Sequence, residues 1–292
     1  MIGLSLRKIN PILLLFIKSY NMNRHKFLLF FFSIFLINCN HRDQNMESNM
    51  IDLFIWAGQS NAQGWKGDAE FYPSDSNNLD SQILLNYTFI GESSSDAWIT
   101  MQPQLGLFPL GHFGPEVTFS RKLKESGYNP AIFKFCKGGS SLYGDWKRLG
   151  ESGYTDSMFD ALSVSINDLS LQGYKVNIKG LIWIQGESDA DNFTNAIEYE
   201  NNLLNFINDF RNHFEQTSPI PIILGVDEQH PSVIQYPQVL IAHQNIAEDD
   251  DSIKFTSMYG FPKADATHLT PDGLISHGEY LYDSFILLVE SN

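Results

Sequence analysis

The chain predicts an α/β fold, a three-layer α/β/α sandwich around a central, mostly parallel sheet. Apolar runs at 51–57, 131–136, 178–184, 220–226 and 253–257 have the length and the β-branched and aromatic content of strands buried on both faces. Stretches with apolar residues at helical spacing separate them, and strands alternating with helices build a parallel sheet covered on both sides. One helix, 116–125, begins after Pro115, a favoured first helical position. The next, 157–172, carries Phe159, Leu162, Ile166 and Leu169 on one face, and a longer one carries Tyr199, Leu203, Phe206, Phe210 and Phe214. A final helix follows 265–271. In sheets of this kind, sites form at the carboxyl ends of the strands.

The first strand runs into Gly58-Gln59-Ser60-Asn61, which makes Ser60 a candidate nucleophile. A serine hydroxyl is a weak nucleophile at neutral pH and needs a base, a carboxylate to orient that base, and oxyanion donors. Asp265 and His268, three residues apart in Asp265-Ala266-Thr267-His268, supply the first two. A histidine near its ordinary pKa of about 6.5 takes the serine proton and returns it to the leaving group, and the carboxylate fixes the tautomer. Lys137-Gly138-Gly139-Ser140 after one strand offers a backbone N–H that can approach a reacting oxygen, and Gln185-Gly186-Glu187-Ser188-Asp189 after another offers a side-chain amide. Ser140 and Ser141 read as turn formers, as does any serine after Gly-Gly. His112, His213, His230, His243 and His277 read as ordinary polar side chains, since only His268 has a carboxylate at this spacing. An α/β-hydrolase elbow is disfavoured because Ala62 stands where its last glycine would be.

Four blocks in this order, Gly-Gln-Ser-Asn, Gly-Gly-Ser, Trp-Ile-Gln-Gly-Glu-Ser-Asp and Asp-Ala-Thr-His, resemble the SGNH hydrolases, whose fold is flavodoxin-like. More narrowly they resemble the branch of carbohydrate esterase family six and the sialate O-acetylesterases, in which glutamine replaces asparagine in the third block. The segment Phe113-Gly114-Pro115-Glu116 fits that branch too, and the resemblance spans roughly 51–287. It implies Ser60 as nucleophile, His268 as general base and then acid, Asp265 as its partner, and an oxyanion hole from the Ser60 and Gly139 N–H groups and the Gln185 side chain. Asn61 and Glu187 are supporting residues. Glu187 competes with Asp265 for His268, and Asp265 is favoured because it shares the histidine's segment. The implied activity is that of a carboxylic ester hydrolase removing acetyl groups from sugar hydroxyls, on acetylated xylan or O-acetyl sialic acid, with polysaccharide slightly preferred because the domain is compact. Trp65, Trp98, Tyr143 and Trp146 are candidate sugar-stacking rings. The alternative is an inactive fold of this kind that binds glycans at a cell surface.

From Met22 the chain reads as a basic start followed by an apolar run of 11 residues, 27–37, too short for a membrane-spanning helix and suited to an export signal. Leu36-Ile37-Asn38-Cys39 resembles a bacterial lipoprotein box, with Cys39 as the lipidated first residue; cleavage nearby as an ordinary secretory signal is the alternative. The expected organisation is a leader over 1–39 with its true start at Met22, a tether over 40–49, and one esterase domain over 50–292. That places the protein at a bacterial cell envelope, touching membrane only through an N-terminal lipid. The 2 cysteines provide no disulfide framework once Cys39 is acylated, and Cys136 reads as a buried strand residue. No histidine and cysteine spacing suits zinc, so neither metal nor cofactor is expected. The chain has 34 acidic and 19 basic residues, a net charge of -15; five of the basic residues (Arg7, Lys8, Lys18, Arg24, Lys26) precede Cys39, and the remaining 14 against 34 give -20. Such a surface repels nucleic acid and anionic membranes. It disfavours polyanionic substrates, although a local basic pocket could still take one carboxylate.

Overall fold

Met50–Gly58 is a strand whose odd residues, Ile51, Leu53, Ile55 and Ala57, enter one core while Phe54 and Trp56 enter another. That division follows from the two-residue period of a strand, and it makes this element, β1, the centre of the molecule. The computed structural model describes residues 49–214 and 216–290. The expected leader, Cys39 and all but the last residue of the tether lie outside them.

Among the described residues the sheet has eight strands. Besides β1 they are β2 (Leu84–Phe89), β3 (Ser93–Ser94), β4 (Ile99–Thr100), β5 (Pro130–Cys136), β6 (Lys175–Ile184), β7 (Ile222–Gly225) and β8 (Ile253–Phe255). The order is β3-β2-β5-β1-β6-β7-β8, with β4 also on β2; β3 and β4 pair antiparallel and the rest are parallel. The mostly parallel α/β sheet expected from the sequence is thus present, with one antiparallel edge that was not foreseen. β2 was missed because its Leu-Leu-Asn-Tyr-Thr-Phe alternates polar and apolar residues, as suits a strand buried on one face, in place of an apolar run.

Helices cover both faces. A one-turn helix α1 (Ser60–Gln63) follows β1. On one side lie α2 (Glu116–Glu125) and the last helix, through Val117, Phe119, Leu123, Leu274, Leu281 and Phe285. On the other lie α3 (Tyr154–Leu171) and α4 (Phe193–His213), through Phe159, Leu162, Leu203 and Phe206. A short α5 (Pro231–Gln235) leads into α6 (Gln238–Asp249), which packs Val239, Ala242 and Ile246 on that same side; α7 is the last helix, Pro271–Glu290. Among the described residues no helix is long and apolar enough to cross a membrane. Cys136 ends β5 fully buried, and burial pushes its thiol up to about 12, as befits an inert core residue.

One polar cluster inside the apolar layer bears on the site. Lys134 of β5 and Glu116 of α2 form a fully buried ion pair at 2.8 Å. Lys134 Nζ also donates to the Gln63 carbonyl and to Gln104 Oε1, both at 2.9 Å, while Glu116 Oε1 accepts from Gln104 Nε2 and from the Gly114 N–H. This network braces the last residue of α1 from within the core and gives the Gly-Pro-Glu segment its structural purpose. Because removing one partner strands a buried charge, Lys134→Met is expected to cost about 3–5 kcal/mol. Adding Glu116→Gln should recover part of that loss, with urea unfolding of the variants as the measurement.

Candidate active site

The site begins with a backbone constraint at the end of β1. Gly58 has φ +142, and a Cβ there would stand 2.0 Å from the Ile184 carbonyl oxygen of β6, so only glycine lets the chain leave the sheet along this path. Gln59 N–H donates to that same carbonyl at 3.0 Å, and Ser60 opens α1. Because β5, β1 and β6 are neighbours in the sheet, their carboxyl ends gather Gly138-Gly139, Ser60 and Gln185-Asp189 at one place. A cavity of about 370 Å³ lies there, lined by Gln59, Ser60, Trp65, Gly138, Gly139, Glu187, Ser188, Asp191, His230, Thr267 and His268. Ser60 is 7% exposed. Gly139 has φ +70 and open space on the side where a Cβ would project, so its backbone remains accessible to a ligand.

His268 reaches this cavity from a loop more than two hundred residues further on. Its Nδ1 lies 3.0 Å from both Asp265 carboxylate oxygens, which leaves Nε2 as the nitrogen free of the carboxylate. Asp265 Oδ1 also accepts the backbone N–H groups of Thr267 and His268 and the Thr267 hydroxyl. Partial burial works against the charged form, but these hydrogen bonds, led by that of His268, outweigh it and hold Asp265 well below the usual carboxylate range. Of the two carboxylates proposed for His268, the geometry pairs it with Asp265. Trp65 lies over the imidazole, ring centroids 6.2 Å apart and planes 25° from parallel.

Two side chains fix that loop. Asn61, next to Ser60, donates from Nδ2 to the Thr267 carbonyl at 3.0 Å and accepts the Leu269 N–H at 3.2 Å, so its amide brackets His268. From the other side Lys263 pairs with the buried Asp227 carboxylate and donates to the Ala266 carbonyl at 2.7 Å. Glu187 supports Asp227 in turn, accepting its N–H at 3.1 Å. Burial raises the Glu187 carboxyl to about 7, with the nearby Asp227 charge adding to the rise, while its backbone hydrogen bonds oppose it.

Gln185 does not take the place expected of it. It is fully buried and absent from the cavity wall; its Nε2 donates to Asp189 at 2.6 Å and to the Ser140 carbonyl at 3.0 Å, with Gln59 Oε1 a third acceptor at 3.3 Å, and its Oε1 accepts the Tyr199 hydroxyl at 2.9 Å. Asp189, four residues on, captures the amide, leaving neither hydrogen for an oxyanion. Asp189 also accepts the N–H groups of Leu142 and Tyr143, joining the second and third blocks, and burial raises it to about 6. His243, pushed down to about 3 by burial, closes the network on Tyr199. The residue facing the cavity is Gln59, whose Oε1 lies within 3.3–3.4 Å of Gln185 Nε2 and of the N–H groups of Gly186 and Ser188.

Ser140 and Ser141 are turn residues: the Ser140 hydroxyl donates to the Lys137 carbonyl and accepts from Trp146 Nε1, and Ser141 accepts the Gly144 N–H. Of the four rings considered for sugar stacking, only Trp65 lines the cavity. Trp146 is buried against Trp183, Trp98 donates to the Ser165 carbonyl, and Tyr143 borders a separate groove. His230, read from the sequence as an ordinary polar side chain, belongs to the cavity wall; the available signal is its place in Asp227-Glu228-Gln229-His230 directly beyond an apolar strand. Among the described residues no group of three or more His, Cys, Asp or Glu is arranged to hold a metal ion.

A family model described as carbohydrate esterase, sialic acid-specific acetylesterase, matches residues 50–287. The chain therefore belongs to this family, in agreement with the SGNH carbohydrate esterase branch that the four blocks resemble, and its general class is that of a carbohydrate esterase, a carboxylic ester hydrolase. Similar solved structures include a protein from Arabidopsis thaliana (21% identity, TM-score 0.62, covering 81% of this chain and 98% of that one) and NanS (15%, 0.59, 84% and 99%). A carbohydrate acetylesterase from Xanthomonas citri is another (17%, 0.54, 82% and 57%). At these identities the likeness is one of fold. Among curated proteins the chain has no match.

Two outcomes follow from this geometry. Asn61→Ala leaves the Leu269 N–H and Thr267 carbonyl without their partner and is expected to cost about 1–3 kcal/mol, with faster hydrogen exchange at the Leu269 amide than in the wild type. Glu187, raised from 4.5 to about 7, binds more protons folded than unfolded, so its contribution is complete below pH 4.5 and lost as pH rises through 7. Wild-type stability measured against Glu187→Gln should therefore fall across that window by on the order of 3 kcal/mol, a comparison in which the other titrating groups cancel.

Proposed function

We propose that this protein is a serine O-acetylesterase that removes acetyl groups from sugar hydroxyls, such as those of acetylated xylan or O-acetylated sialic acid. The observation that carries the reading is the His268–Asp265 pair, both carboxylate oxygens 3.0 Å from Nδ1, in a loop whose histidine shares one cavity wall with Ser60. His268 Nε2 accepts the Ser60 proton as Oγ attacks the acetyl carbonyl. The negative charge that develops on the carbonyl oxygen is met by the N–H groups of Ser60 and Gly139, with the Gln59 amide nearby in place of Gln185. His268 then protonates the departing sugar oxygen, leaving acetyl-Ser60. A water molecule loses its proton to His268, attacks this ester, and acetate leaves as Ser60 regains its proton. Asp265 stays ionised throughout and stabilises the imidazolium.

The leader and Cys39 extend the reading to a lipoprotein of a bacterial envelope, with the catalytic domain reaching acetylated glycans outside the cytoplasm. Acetate release from acetylated xylan and O-acetylated sialic acid tests the activity. It should be abolished by Ser60→Ala, and Asp265→Ala should lower kcat by about 10³–10⁴. Unchanged release in Ser60→Ala would remove this serine from the mechanism.

A further inference from the structure

The acyl-transfer groups occupy only part of the cavity, and its other polar residues have a fixed hydrogen-bonding character. His230 is 8% exposed, and its Nδ1 accepts the Ser232 N–H at 3.2 Å, so the neutral ring carries its hydrogen on Nε2. Burial pushes its pKa down, against the pull of the Asp227 and Asp191 carboxylates and in the same direction as Lys263 and His268, which keeps that donor neutral at pH 7. Asp191, an exposed carboxylate, receives the Ser232 hydroxyl on Oδ1 and has Oδ2 and further lone pairs to offer. Ser232 thus holds the donor and the acceptor beside each other. Trp65 adds a flat apolar face.

The charge of this wall is one-sided. Asp191 lines the cavity as an exposed carboxylate, buried Glu187 adds charge only as it ionises near pH 7, and among the described lining residues there is no lysine or arginine. Of the nearby lysines, Lys137 pairs with Glu92 and Lys263 with Asp227, while Lys66 lies outside the lining with its charge 3.9 Å from the Asp265 carboxylate. A substrate carboxylate would find no cation there and would stand in the field of a strongly acidic protein.

We infer that His230 and Asp191 form the subsite that grips the sugar whose acetyl group is removed, His230 Nε2 donating to a sugar oxygen and Asp191 accepting from sugar hydroxyls, and that this subsite selects uncharged sugars over those bearing a carboxylate. The inference rests on the Ser60 esterase reading and names its substrate class. Donor and acceptor side by side match vicinal hydroxyl groups, each of which can play either part, and an unscreened carboxylate in the same place is repelled by Asp191.

The test compares an O-acetylated sialic acid with its carboxamide, which share a skeleton and differ in charge, alongside acetylated xylobiose and 4-nitrophenyl acetate. The carboxamide is expected to exceed the free acid in kcat/KM by at least about tenfold at low salt. That ratio should shrink as salt is added and in Asp191→Asn. His230→Gln and Asp191→Asn should each lower kcat/KM more on acetylated xylobiose than on 4-nitrophenyl acetate, through KM. A free acid cleaved as well as its carboxamide, or variants that lower acetylated xylobiose and 4-nitrophenyl acetate by one factor, would overturn the subsite. Absence of Ser60-dependent release from all four esters would overturn the esterase reading itself and this inference with it.

Discussion

The amide of Asn61 is the contact on which the arrangement of the site depends. It is the neighbour of Ser60, yet its hydrogen bonds go to Thr267 and Leu269, 206 and 208 residues away. Both are backbone groups flanking His268, so a side chain attached to the serine's own turn helps position the imidazole relative to it. Local geometry could not achieve this, because Ser60 sits on the central strand and His268 on a loop ahead of the last helix. The close approach of Gly58 to the Ile184 carbonyl fixes where that turn leaves the sheet, and Lys134 holds its other end through the Gln63 carbonyl. The turn carrying Ser60 is therefore constrained at its entrance, its middle and its exit.

Around it, buried carboxylates replace water as the acceptors that organise the loops. Asp189 joins the second block to the third, Asp227 with Lys263 pins the histidine loop, and Glu187 ties Asp227 to the third block. Each takes backbone or amide hydrogens that would otherwise be stranded in an apolar interior, where an unmade hydrogen bond is costly. The same burial that makes these groups structural moves Glu187 and Asp189 toward neutrality, whereas Asp265, 40% exposed in its side chain and surrounded by donors, is held in its charged form. Environment, more than residue type, thus separates the carboxylate suited to orient a histidine from those that hold loops.

Much of this was legible in the sequence. The buried parallel strands announce themselves as apolar runs, and the Gly-Gln-Ser-Asn and Asp-Ala-Thr-His blocks name residues that do come to share one site, since short-range spacing sets how Asp265 meets His268. What escaped was long-range or depended on competition. β2 alternates polar and apolar residues because it is covered on one face. Gln185 occupies a block position of a donor but is taken by Asp189, a choice set by distances of a few tenths of an ångström that sequence spacing does not encode. His230 has no catalytic spacing to any partner, and its meaning appears only once β7 is placed beside β6 in the sheet.

The proposed mechanism stands or falls on Ser60 as the activated nucleophile and on His268 as the group that activates it. A fluorophosphonate probe that reacts with activated serines, with the adduct located by peptide mass spectrometry, tests this most directly. A single adduct on Ser60 is expected in the wild-type protein, with labelling lost in a folded His268→Ala variant. An adduct on Ser140 or Ser141, or labelling of Ser60 that persists without His268, would contradict it.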